Sequence, residues 1–306
     1  MAAIIDTATD LVAVEGSDCL RCQSRTYDIK ENIDSGIATV ESGTVIERYG
    51  EAQIIGQYAK DDFCFQLGKC VNLEFLYITD QGVLDKNVDA IVGFARPDHP
   101  FLLAPGSVRS DQTMFLEVFR DTFFGEEPFF STRFQRDYIS WIDIGMPDES
   151  QSKSEPVTID CFDDFFWSMA LQGVRFGTSS DMAFTFNLME HGAQINDGLY
   201  TIWDSAAPNI YLSVLWFESF VAQLYEITGL EIVIVNGKVK AACATSYPDL
   251  YFQLNGYWLQ VKPADYIREE DSNVCSLKIM PINAPFNIMG MPAYIGYYIQ
   301  HNWEQG

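Results

Sequence analysis

Along most of the chain, apolar residues come in short runs rich in Val, Ile, Phe and Tyr, and each run is broken by Gly, Asp, Asn or Pro within a few positions. Runs this short, made of β-branched and aromatic residues and punctuated by turn formers, predict strands, and their number predicts a mainly β protein. Two segments carry a helical spacing instead. Asp111 to Phe123 (DQTMFLEVFRDTF) follows Ser110 as an N-cap and meets Gly125 as a stop, and Val214 to Ile227 (VLWFESFVAQLYEI) follows Ser213 and ends before Gly229. The second is apolar nearly all round, which predicts a well-buried helix. The aromatic run from Phe162 to Trp167 reads as a strand entering a core.

The pattern also repeats. Ile4-Ile-Asp-Thr-Ala8 is echoed by Ile202-Trp-Asp-Ser-Ala206, and Ala90-Ile-Val-Gly-Phe94 by Asn287-Ile-Met-Gly-Met291. Asp6 and Gly93 are 87 positions apart, Asp204 and Gly290 86. Two motifs recurring in the same order at nearly the same spacing predict two homologous lobes. A chain of 306 residues suits two lobes of about 150 each. The polar stretch 146–158 (MPDESQSKSEPVT) reads as the boundary or an exposed loop, giving lobes at 1–150 and 151–306.

Charge narrows the function classes. With 43 Asp plus Glu against 19 Lys plus Arg, the formal net charge is −24. Such a surface repels phosphate backbones and anionic lipid, so neither a nucleic acid nor a membrane is expected as a partner. It suits a very soluble protein, or one that works in acid, where carboxylate self-repulsion fades. No apolar run approaches the roughly 20 residues of a membrane helix, and MAAII lacks the length and basic flank of a signal peptide. Seven cysteines stand at 19, 22, 64, 70, 161, 243 and 275. Cys19-Leu-Arg-Cys22 has the spacing of half a zinc site or a redox pair, but it has no second CxxC, and His99, His191 and His301 are scattered. No metal and no cofactor are expected. The spacings read more naturally as three local disulfides, Cys19–Cys22, Cys64–Cys70 and Cys243–Cys275, with Cys161 a buried thiol left over, which points to an oxidising compartment. No Asn-x-Ser/Thr sequon occurs.

The echoed aspartates carry the candidate chemistry. Each follows a short apolar segment and precedes a hydroxyl residue, Thr7 or Ser205, and then an alanine, Ala8 or Ala206. A hydroxyl there pins the turn, and small neighbours leave room for another chain. If pseudo-symmetry brings the two turns together, two carboxyl groups share one site, and like charges a few ångströms apart do not both ionise. The pair then holds a general base and a general acid at once.

At these residues the sequence resembles the pepsin-like aspartic peptidases, over almost its whole length. The family's D-T/S-G-T/S motif is matched by Asp6-Thr7-Ala8-Thr9 and by Asp204-Ser205-Ala206-Ala207. Its flap hairpin is similar to Tyr49-Gly50-Glu51-Ala52 running on to Gly56 and Asp61, and its hydrophobic-hydrophobic-Gly motif to Ile91-Val92-Gly93 and Ile288-Met289-Gly290. Its C-terminal phrase is matched by IMGMPAYIGYYIQ, and Cys243 with Cys275 is similar to its second-lobe disulfide. The resemblance implies a bilobal β fold, a monomer, and an endopeptidase that hydrolyses peptide or protein substrates in acid. Asp6 and Asp204 would hold the water, with Tyr49, Gly50 and Glu51 over the substrate. It implies a secreted or lysosomal/vacuolar location. Family members carry a longer stretch before the first aspartate, so residues 1–306 are expected to be part of a longer chain with any signal or propeptide upstream.

Four positions depart from the family pattern. Ala8 and Ala206 replace both motif glycines, Ala207 replaces a hydroxyl residue, and Ala13 stands where a tryptophan often supports the flap tyrosine. These departures frame the alternative, a catalytically impaired relative that binds a peptide or partner protein without cleaving it.

Overall fold

The computed structural model describes residues 2–22, 27–49, 52–66, 69–81, 88–96, 115, 116, 118, 122, 129–136, 140–161, 166–177, 183–185, 200–243, 247–271 and 273–302. Two compact units form, Met1–Pro128 and Phe129–Gly306.

In the first unit, seven strands make one sheet: β1 (Ala3–Asp6), β2 (Val12–Glu15), β3 (Thr39–Val40), β4 (Val45–Tyr49), β5 (Ala52–Gln66), β6 (Lys69–Gln81) and β7 (Ala90–Gly93), in the order β1-β7-β2-β6-β5-β3 with β4 paired to β5. Strand β7 lies between β1, parallel to it, and β2, antiparallel to it. All four residues of β7 are buried, as expected of a strand covered on both faces. Leu11, Ala13, Ile54, Leu76, Ile78 and Ile91 pack together as its core, and the Cys19–Cys22 disulfide is buried against them.

The second unit opens with β8 (Phe129–Arg133) and β9 (Trp141–Ile144), continues through β10 (Ser168–Phe176), β11 (Ala183–Thr185), β12 (Tyr200–Trp203) and β13 (Ile210–Ser213), and then β14 (Val233–Val235) and β15 (Lys238–Ala242). It closes with β16 (Leu250–Leu254), β17 (Tyr257–Val261), β18 (Ile267–Asp271), β19 (Val274–Leu277), β20 (Ile279–Ile282), β21 (Asn287–Met289) and β22 (Tyr298–Asn302). The main sheet runs β17-β16-β10-β12-β21-β13-β20. Here β21 lies between β12, parallel to it, and β13, antiparallel to it, and β13 pairs in parallel with β20. The first unit has the same arrangement in β1, β7, β2 and β6, where β2 pairs in parallel with β6. The echo in the sequence is thus an echo in topology. A separate sheet joins β8 to β9 and to β22, which puts the start of this unit ahead of the 146–158 stretch; that stretch is mostly exposed around a short 3₁₀ turn, Glu149–Gln151.

The helix Val214–Thr228 forms where the spacing predicts it and ends in the left-handed Gly229. Two expectations for it need correcting. Ser213 occupies the N-cap but makes no side-chain capping bond, and the helix is not buried all round. Trp216, Phe217, Phe220 and Leu224 face the core at i, i+1, i+4 and i+8, whereas Leu215 and Tyr225 are 59% and 52% exposed, so the burying stripe is narrow. The strand expected over Phe162 to Trp167 begins only at Ser168, with Trp167 buried just before it; residues 162–165 lie outside the described residues. Most of the segment from Asp111 to Phe123 also lies outside them, and 115, 116, 118 and 122 are helical.

All three expected disulfides form. Cys161 is outside them and half-buried rather than buried. Cys243–Cys275 spans 32 positions, the longest of the three loops. Loop closure on that scale restricts the unfolded chain by about 3–4 kcal/mol. Replacing both cysteines by alanine is therefore expected to lower the unfolding temperature by roughly 10 °C, readable by calorimetry.

Candidate active site

Asp6 is the last residue of β1, in register with Gly93 of β7, and the Phe94 N–H donates to its carbonyl at 2.7 Å. The chain then turns sharply. Ala8 N–H donates to Asp6 Oδ1 at 2.8 Å, and Leu11 N–H to Thr9 Oγ1 at 3.1 Å, so the side chains of the motif hold the turn that leads into β2. Asp6, Thr7 and Thr9 are all buried. The second turn is built the same way. Asp204 follows β12, its N–H donates to the Met289 carbonyl at 3.1 Å, and its Oδ1 accepts from Ala206 N–H at 2.8 Å and Ala207 N–H at 3.0 Å. Asp204 is half-buried and Ser205 buried. In both turns the chain delivers a carboxylate whose orientation is fixed by backbone donors.

The two glycines opposite these turns are there for space. A Cβ on Gly93 would lie 2.5 Å from the Thr9 carbonyl oxygen, and one on Gly290 would lie 2.1 Å from that of Asn209 and 2.5 Å from that of Ala207. Only a residue without a side chain lets the middle strand cross the turn so closely. The crossings are then tied by hydrogen bonds, Ala95 N–H to the Thr9 carbonyl at 3.0 Å and Met291 N–H to the Ala207 carbonyl at 2.8 Å.

Ala8 and Ala206 sit without backbone strain. Among the described residues, the non-glycine positions with positive φ are Asn236 and Asn255, so neither motif alanine occupies a conformation reserved for glycine. Ala13 is fully buried in β2, between Leu76 and Ile91 in register. The β4–β5 hairpin pairs Tyr49 with Ala52 at its end; Gly50 and Glu51, which the flap reading also names, lie outside the described residues.

Three polar groups escape sequence reasoning. Asn287 is fully buried in β21, where the echo gives the first copy Ala90. Its Oδ1 accepts from Ser213 N–H at 2.8 Å and its amide reaches Thr201 Oγ1 at 3.4 Å, so one side chain ties together the strands either side of it. Glu47, two residues before Tyr49, is buried with Tyr58 donating to its carboxylate at 2.8 Å; burial pushes the carboxyl above its ordinary range, with the Tyr58 bond opposing. Glu15 is buried at the end of β2 and accepts from Gln81 Nε2 at 2.6 Å. The partners of Asn287 and Glu15 are distant in sequence, and that of Glu47 lies across its own hairpin, where the pattern does not show which residues meet.

The chain is a member of the eukaryotic aspartyl protease family, whose model matches residues 1–306. It has the mainly β, bilobal pepsin-like fold of that family. A comparison with curated proteins gives no match. The family acts on peptide or protein substrates. No helix among the described residues is long and apolar enough to cross a membrane, and no cluster of three or more His, Cys, Asp or Glu among them would hold a metal ion.

Proposed function

We propose that this protein is an aspartic endopeptidase in which Asp6 and Asp204, one from each of the two repeated lobes, act as a single acid site. The observation that carries the reading is the matched construction of the two turns: each aspartate Oδ1 is fixed by the N–H two residues on, at 2.8 Å in both. Two carboxyl groups in one site share a proton. The ionised one takes a proton from water as the oxygen attacks the scissile carbonyl, and the protonated one gives its proton to the carbonyl oxygen. Collapse of the tetrahedral intermediate then returns a proton to the leaving amine, and no metal or covalent enzyme intermediate is needed. Thr7, Thr9 and Ser205 hold the turns, and Tyr49, Gly50 and Glu51 cover the substrate. The three disulfides support a secreted or lysosomal/vacuolar setting, and the monomeric state rests on the family resemblance alone.

A second reading, a protein that binds a peptide but does not cleave it, draws on Ala8, Ala206 and Ala207: two methyls stand beside the carboxylates, and Ala207 offers Asp204 only its backbone N–H. The test is peptide cleavage near pH 4 with and without pepstatin. Cleavage blocked by pepstatin is expected. Labelled pepstatin that binds with no peptide turned over would establish the second reading instead.

A further inference from the structure

His301 lies on β22 directly opposite Phe130 of β8. Its imidazole is 5% exposed. It stacks on the Phe130 ring with centroids 4.2 Å apart and planes inclined by 4°, and the Trp167 ring meets it edge-on at 4.9 Å. Its Nδ1 has no hydrogen-bond partner among the described residues. The ring therefore serves as aromatic filling, in a place where only the Phe130 backbone and ring face a positive charge favourably and burial works against it.

The alternation of strands shows what surrounds it. Register puts Phe130 and Thr132 of β8, Ile142 and Ile144 of β9, and Ile299 of β22 on the face that His301 occupies. Asp143 of β9 pairs with Ser131, and Arg133 of β8 pairs with Trp141 and Tyr298, so these charged groups belong to the opposite face. Residues 166–168, which bring Trp167 to the ring, carry no charge. No carboxylate on these elements faces the imidazole to stabilise its protonated form.

We propose that His301 is an acid-operated latch on the C-terminal strand: to take up a proton its ring must leave the Phe130–Trp167 stack, and β22 must part from β8. Burial pushes the imidazole from its ordinary 6.5 down to about 3, with a hydrogen bond to the Phe130 backbone opposing the shift. The closed state thus holds a neutral ring where the open state binds a proton. The closed state keeps its full advantage above pH 6.5 and loses it progressively as the pH falls toward 3. Over that window the closed-to-open equilibrium shifts up to ~tenfold per pH unit. The latch sets a lower pH limit on the folded second unit that is independent of any active-site aspartate.

The test compares urea unfolding of the full chain at pH 7 and pH 4 for the wild type, His301→Phe and His301→Gln. The first variant keeps an aromatic ring in the stack and the second keeps a polar, non-titrating side chain, so one informs if the other folds poorly. The folding constant of each variant, relative to the wild type, is expected to rise by roughly two orders of magnitude from pH 7 to pH 4. Hydrogen exchange over Tyr298–Asn302, corrected for its intrinsic pH dependence, is expected to accelerate in acid in the wild type alone. Parallel loss of stability in all three proteins, or a strand equally protected in all three at pH 4, would overturn the latch.

Discussion

Asp204→Asn is expected to lower peptide cleavage by ~10²–10⁴-fold, because it removes one member of the proposed acid–base pair. The fold should survive the change. Asparagine keeps an oxygen where Asp204 Oδ1 accepts from the N–H groups of Ala206 and Ala207, at 2.8 and 3.0 Å, so the turn retains both of its bonds. The same holds for Asp6→Asn and the Ala8 N–H at 2.8 Å. Loss of turnover with an unchanged unfolding temperature is therefore the expected signature, measured by peptide cleavage and calorimetry on the same preparations. A fall in both would assign the aspartate to holding its turn.

Gly290→Ala and Gly93→Ala are expected to have the largest effects on stability. Gly290 has φ of −89°, which alanine adopts freely, so the obstacle is space alone. Its added methyl would come within 2.1 Å of the Asn209 carbonyl oxygen, and that of Gly93 within 2.5 Å of the Thr9 carbonyl oxygen. These are backbone atoms held by strand pairing, which do not swing aside as a side-chain end would. Overpacking of this kind costs about 3 kcal/mol or more and lowers the unfolding temperature by roughly 10 °C. Ala8→Gly and Ala206→Gly form the natural contrast, since both alanines already sit without strain. They are expected to change stability by no more than about 1 kcal/mol.

Much of this construction was legible in the chain because it is local or repeated. The echo of IIDTA in IWDSA and of AIVGF in NIMGM carries the crossing of β7 over the first turn and of β21 over the second. The helix at Val214 was legible because its period and its Gly229 stop are local signals. Its exposure was not, because composition shows that a helix is apolar but not how much of it finds neighbours. Leu215 and Tyr225 remain in solvent for that reason. The late start of β10 at Ser168 has a similar origin: aromatic residues favour strands and also fill cores from bends, as Trp167 does against Phe130 and His301. Asn287 and His301 were illegible because their environments are made by strands remote in sequence, and Glu47 because its burial against Tyr58 of the neighbouring strand leaves no mark in the pattern; a buried polar residue reads as a surface one until its partners are known.

Whether Asp6 and Asp204 work as one site is tested most directly by the kinetics of the double variant. Groups that act as a unit are strongly non-additive. Cleavage of a peptide near pH 4 by Asp6→Asn, by Asp204→Asn and by the double variant is predicted to be equally poor, each single change already removing the whole acid–base function. Substantial cleavage by either single variant, or a double variant whose loss is the product of the two single losses, would contradict a single site.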